Sequence, residues 1–93
     1  MSDTEIIATV AANVRKTRKA VGLSQEELAL EAEVDRTYVS QVERGKRNIT
    51  IAVLARLARA MRTSAAALVT DAEKRPASGK AGGTDTRKAR ARK

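Results

Sequence analysis

An all-α fold, a compact bundle of five short helices around one core, is predicted by three observations. Apolar residues recur at three- and four-residue spacing through residues 3–70. Each such run is preceded by a Ser, Asp or Thr suited to capping a helix N-terminus. A chain of 93 residues also has room for a single core, which a helical bundle closes economically. The first helix is expected over about 3–21, capped by Ser2 or Asp3, with Ile7, Val10, Ala11, Val14 and Val21 on one side and Arg15, Lys16 and Lys19 mostly on the other. Gly22 ends it. Ser24 followed by Glu27 forms a capping box, so a second helix begins at Gln25 and runs to 32, with Leu28, Ala29 and Ala32 on one face. Asp35 is the expected cap of a third helix, about 36–44, whose inward residues are Val39 and Val42 and whose left-handed terminator is Gly45. Thr50 opens a fourth helix over 51–61, with Ile51, Leu54, Leu57, Ala58 and Met61 in helical register. Ser64 opens a short fifth helix, 65–70, in which Leu68 and Val69 are the apolar residues.

Beyond residue 71 the composition changes. Residues 72–93 hold Pro76, three glycines and no large apolar side chain, so they cannot bury enough surface to offset the entropy of ordering, and a disordered basic tail is expected. The formal charge of +8 is concentrated there: eight Lys/Arg against two Asp/Glu, which leaves eleven against nine for residues 1–71. Overall basicity therefore says little about a partner for the helical unit, and the position of its cations must carry that argument. With no Cys and no His, disulfides, thiolate chemistry and the usual zinc ligands are excluded, and no metal or other cofactor is expected. No phosphate-cradling glycine loop is present, and Glu26, Glu27 and Glu31 read as a cap and a solvated helix face rather than a catalytic set. Enzymatic activity is not expected. No apolar run reaches the roughly 18 residues that span a bilayer, and the acidic start MSDTEIIATV is unlike a signal peptide, so a soluble, cytoplasmic protein is expected.

The second and third helices, joined by a tight turn, form a helix-turn-helix. Removing Val39 and Val42 from the third helix leaves Arg36, Thr37, Ser40, Gln41 and Arg44 facing outward. These are the groups that read base edges. Arg pairs with O6 and N7 of guanine, Gln with N6 and N7 of adenine, and Thr offers a methyl to thymine. Arg36, Thr37, Ser40 and Gln41 are accordingly the candidate base readers. Gln25 at the start of the second helix, Tyr38, Arg44, and Lys46, Arg47 and Asn48 in the loop after Gly45 are the candidate phosphate contacts. Tyr38 is the only aromatic residue, which leaves no stacking platform for single-stranded nucleic acid.

Residues 14–69 resemble the Cro/repressor-type (XRE-like) helix-turn-helix family of bacterial and phage regulators. The resemblance rests on Ala29, the turn at Glu33, and Val34, Val39 and Val42 at the family's spacing, together with GLSQEELA, ERGKRN and LARLARAM. The string DRTYVSQVERGKRNITI is most similar to controller proteins of restriction-modification systems. The resemblance implies a λ-repressor-like DNA-binding domain that binds a two-fold symmetric operator as a homodimer and controls transcription. It also implies an ion pair between Arg18 and Glu43 and a left-handed residue at Glu33, where the family prefers Gly. Arg62-Thr63 stands where the family usually has Gly-Val. Apolar residues beyond the needs of the core, namely Ile49, Ile51, Leu68 and Val69, are the expected dimer interface, exposed in the single chain. The rival reading is an antitoxin-like or bridging module whose helices mainly hold another protein, and a partner gene beside it would favour that reading.

Overall fold

The computed structural model of the protein describes residues 2–70, so the basic segment 72–93, with its expected disorder, lies outside the described residues. Five helices follow one another: α1 (Asp3–Val21), α2 (Gln25–Ala32), α3 (Arg36–Glu43), α4 (Ile51–Ala60) and α5 (Ala65–Val69). The last three end one residue earlier than the sequence predicts. Arg44, Met61 and Thr70 instead take the cap positions, with φ of −91°, −96° and −87°.

Four of the five N-termini are closed by a hydroxyl. Ser2 and Ser24 form full capping boxes with Glu5 and Glu27, and Thr50 and Ser64 accept from the amides of Val53 and Ala67. Asp35 departs from expectation: it occupies the cap position of α3, but its carboxylate makes no capping bond. The reason is local. The Tyr38 amide, which the carboxylate would take, already donates to the Asp35 carbonyl at 2.9 Å in a tight first turn.

The C-termini of α1 to α4 share one device. A residue in the left-handed region reverses the chain, and the next amide reaches back to the carbonyl five residues earlier, as in Leu23 to Arg18 (3.1 Å) and Lys46 to Gln41 (2.8 Å). Gly22 and Gly45 take that conformation freely, at φ 82° and 72°. After α2 and α4 the same position is held by Glu33 and Arg62, both at φ 61°. The turn between α2 and α3 therefore has the form the sequence pattern calls for, with a side chain the conformation disfavours.

The helices close over one core. Val10 and Val14 of α1 meet Leu28, Ala29 and Ala32 of α2, Val39 and Val42 of α3, Leu54, Leu57 and Ala58 of α4, then Met61 and Leu68. Helix α2 packs on α3 and α4, while α1 packs on α3 and α5. Leu68 is 0% exposed, which corrects the expectation that it belongs to an interface: α5 lies between α1 and α4 and turns this side chain into the core. Ile49 is half-buried against the core, whereas Ile51 (83%) and Val69 (38%) stay exposed. Val21 is also exposed, because α1 has run past the core by its last residue. Asn13, unremarked in the sequence, donates through Nδ2 to the carbonyls of Leu68 (2.9 Å) and Thr70 (2.7 Å) and fastens the end of α5 to α1.

A left-handed side chain costs about 1–2 kcal/mol relative to Gly, partly offset by the greater chain entropy that Gly adds to the unfolded state. Glu33→Gly and Arg62→Gly should each stabilise the protein by about 0.5–1 kcal/mol, and the two effects should add because the turns share no partners. Urea denaturation of the two single variants and the double variant checks this. A lowered midpoint for Glu33→Gly would show that its side chain has a stabilising partner.

Candidate nucleic-acid interface

The interface is built on α3, whose orientation is fixed from both sides. Its inward residues, Val39 and Val42, are sealed in the core. Its C-terminus is held by Glu43, whose carboxylate is 3% exposed and receives Arg18 Nε at 2.6 Å on Oε2 and Arg18 Nη2 at 3.0 Å on Oε1. The same guanidinium donates through Nη1 to the Leu23 carbonyl at 2.9 Å, and Gln25 Nε2 donates to Glu43 Oε1 at 3.1 Å. The end of α1, the loop after it, the first residue of α2 and the last of α3 thus meet in one hydrogen-bonded cluster. The expected Arg18–Glu43 pair is present, and it is a partly buried fork rather than a solvated contact.

The hydrogen bonds that Arg18 donates to Glu43 hold its guanidinium above its already high ordinary pKa, with burial working against them. A cation whose pKa is raised on folding stabilises the fold at every pH below its unfolded-state value, and that contribution is lost only as pH climbs through the raised one. That window is strongly alkaline, so Arg18 introduces no pH dependence near neutrality.

On the outward side, the base-reading candidates Arg36 and Thr37 are exposed and Ser40 and Gln41 are half-buried, and the phosphate candidate Arg44 is exposed. Arg44 Nε leans on the Ser40 carbonyl at 3.4 Å, a contact too long to hold it firmly. Lys46, Arg47 and Asn48 follow in the exposed loop. Gln25, a candidate phosphate contact, commits one amide hydrogen to Glu43 and keeps the other and its carbonyl.

Arg47, though exposed, folds back onto α3. Its Nε donates to Gln41 Oε1 at 2.9 Å and its guanidinium lies 4.5 Å from the centroid of the half-buried Tyr38 ring. A cation over an exposed aromatic face contributes about 0.5–1 kcal/mol. The sequence makes Tyr38 and Arg47 phosphate candidates and Gln41 a base reader, and does not show that the three meet. The signal was available in part, since Tyr38 and Gln41 lie three residues apart on one helix face and Gly45 turns the chain back toward them.

With Glu43 neutralised by Arg18, this face presents Arg36, Arg44, Lys46 and Arg47 beside hydroxyl and amide groups, and no carboxylate among the outward residues of α3. A rigid helix carrying such groups, crossed behind by a second helix and a short turn, defines a DNA-binding helix-turn-helix. The chain belongs to the helix-turn-helix family whose model matches residues 14–68, and it is a DNA-binding transcription regulator. Control protein C.SmaI of Serratia marcescens is 44% identical over 66 residues, covering 71% of this chain and 79% of that protein. Among solved structures, the restriction-modification controller protein C.AhdI from Aeromonas hydrophila superposes with a TM-score of 0.65 at 39% identity, covering 67% of this chain and 94% of that one. The controller protein C.Esp1396I, solved as a tetramer in complex with its natural 35 base-pair operator, superposes with a TM-score of 0.63 at 33% identity, covering 68% and 83% of the two chains. No helix among the described residues is long and apolar enough to cross a membrane.

Removing one partner of a fully buried ion pair strands the other at a cost of about 3–5 kcal/mol, and a partly buried pair lies at or below the low end of that range. Arg18→Ala should therefore lower the unfolding free energy by roughly 3 kcal/mol, and Arg18→Lys by less, since it keeps the charge and loses the fork. Replacing both residues by Met and Leu should recover much of the loss in urea denaturation. Equal destabilisation by the single and double replacements would show that the pair is not what holds α3.

Proposed function

We propose that the protein acts in the cytoplasm as a homodimer on a two-fold symmetric double-stranded operator, each copy laying α3 in the major groove, and so controls transcription from that site. The observation that carries this reading is the outward face of α3. Arg36, Thr37, Ser40 and Gln41 stand on a helix held by the partly buried Arg18–Glu43 pair. Gln25, Tyr38, Arg44, Lys46, Arg47 and Asn48 surround them with donors suited to phosphate oxygens. Residues 1–71 form the binding unit in this reading, and residues 72–93 a basic arm that adds sequence-blind phosphate contacts. The complex of C.Esp1396I with its operator supports the class of ligand, and the resemblance to controller proteins implies control of the protein's own promoter along with a neighbouring gene.

The dimer follows from apolar surface left over. Ile51 projects from the first position of α4 beside a groove of about 180 Å³ lined by Ile6, Ile7, Ile49 and Val69. Burying one such aliphatic side chain contributes about 1.5–3 kcal/mol, and a two-fold contact counts each residue twice. Two α3 helices spaced by about 34 Å would meet successive turns of one groove face. Ile51→Glu places an acid where a helix N-terminus tolerates it, so the fold should survive while pairing fails. Sedimentation velocity should show a monomer, and operator affinity should fall at least tenfold. A wild-type protein that stays monomeric at high concentration, both free and on DNA, would refute the dimer.

Reading and holding should separate by mutation. Arg36→Ala is expected to cost about 1–3 kcal/mol on the preferred operator and to flatten one base pair per half-site, a guanine contact. Lys46→Ala should weaken all duplexes alike and lower the salt dependence by about one counterion per half-site. Titrations on specific and scrambled duplexes over a salt series decide this. An equal loss on both duplexes for Arg36→Ala would make Arg36 a phosphate clamp.

A further inference from the structure

Arg47 lies six residues beyond Gln41 and returns to it because Gly45, at φ 72°, reverses the chain after α3. The return closes a three-residue unit: the Tyr38 ring as platform, the Arg47 guanidinium 4.5 Å above its centroid, and the Gln41 amide at the guanidinium's edge, with Oε1 2.9 Å from Arg47 Nε. A carboxamide has two unlike ends, an acceptor at Oε1 and two donors at Nε2. With Oε1 turned to Arg47, a half-turn of the amide would set N–H against N–H beside a positive charge. The guanidinium cannot be deprotonated, so this preference holds at every accessible pH. Nε2 is therefore the end of Gln41 that faces away from the loop.

We propose that Arg47 is a positioning residue that fixes the Gln41 amide, so that Gln41 presents its Nε2 donors to the duplex and selects a base carrying an acceptor on its major-groove edge. This rests on α3 being the groove helix. Guanine offers two adjacent acceptors, N7 and O6, and thymine offers O4, whereas cytosine presents a donor. Adenine pairs N7 with the N6 donor, which matches an amide free to use both ends, the contact anticipated from glutamine alone. Held by Arg47, Gln41 favours guanine or thymine; released, it favours adenine. Tyr38 contributes through its ring face, which keeps the guanidinium over the helix.

The test is selection of bound sequences from a random duplex pool with the full-length protein, Arg47→Ala, Gln41→Ala, the double variant, Tyr38→Phe and Tyr38→Ala. Wild type should prefer guanine or thymine over adenine at one position per half-site by about tenfold, the worth of one well-placed hydrogen bond. Gln41→Ala should erase that preference, and Arg47→Ala should move it toward adenine while the other positions persist. In the Gln41→Ala background, removing Arg47 should change nothing at that position. Tyr38→Phe should keep the wild-type preference, and Tyr38→Ala should shift it in the direction of Arg47→Ala. Loss of Arg47 that weakens every sequence uniformly would overturn the inference and leave Arg47 a phosphate contact. Loss that alters a position equally with and without Gln41 would overturn it as well, making Arg47 a reader in its own right. In both outcomes the groove reading stands. A wild-type protein that selects no symmetric consensus would instead overturn the groove reading, and this inference with it.

Discussion

A carboxylate in the last turn of a helix faces the negative end of the backbone dipole, and one as enclosed as Glu43 also loses most of its hydration. The fold accepts it because Arg18 supplies a two-pronged partner and Gln25 a further donor. The effect of this cluster is geometric. Arg18 lies in the last turn of α1, its third bond sets the Leu23 carbonyl, and Gln25 is the first residue of α2. The angle at which α3 leaves the body is therefore tied to three other chain segments rather than to the turn alone. The outward face of α3 is then presented without the entropy loss that a mobile helix would incur on meeting a ligand.

The capping residues account for how much of this fold is legible in the sequence. A hydroxyl at 2, 24, 50 or 64 and a reversal at 22, 33, 45 or 62 mark boundaries through bonds spanning three to five residues, and local patterns capture local bonds. Long α1, with several turns of periodicity, also shows its buried side correctly in Val10, Ala11 and Val14. Helix α5 spans five residues, too few for the period to say which of two adjacent apolar residues turns inward, and Leu68 and Val69 were separable only by the neighbours they meet. Asp35 shows a different limit, since its residue type suits a cap while the backbone had already occupied the amide it would serve.

The interface divides along the same line. The outward residues of α3 follow from subtracting Val39 and Val42, a helical argument that needs nothing distant. The Arg18–Glu43 pair spans 25 residues and came from family likeness, since no spacing rule joins two helices that are not consecutive. The union of Tyr38, Gln41 and Arg47 depends on where a loop returns, and a loop's path is set by one glycine dihedral and the side chains it happens to meet.

The fastening of α5 has a consequence for association. A helix of five residues has no stability of its own in water, because nucleation costs more than so few bonds return. It is retained by Leu68 in the core and by the two bonds from Asn13. Releasing it exposes Leu68, breaks the packing of α5 on α1 and α4 and frees the two carbonyls that Asn13 holds. Val69, part of the surface assigned to pairing, is carried on that same segment. In the proposed dimer, self-association and the local order of α5 would be thermodynamically linked: a partner that binds only the docked form suppresses its opening by mass action. In that dimer, amide exchange in α5 would slow as protein concentration rises, and so would exchange in the core around Leu28 and Leu57, because both openings release the partner.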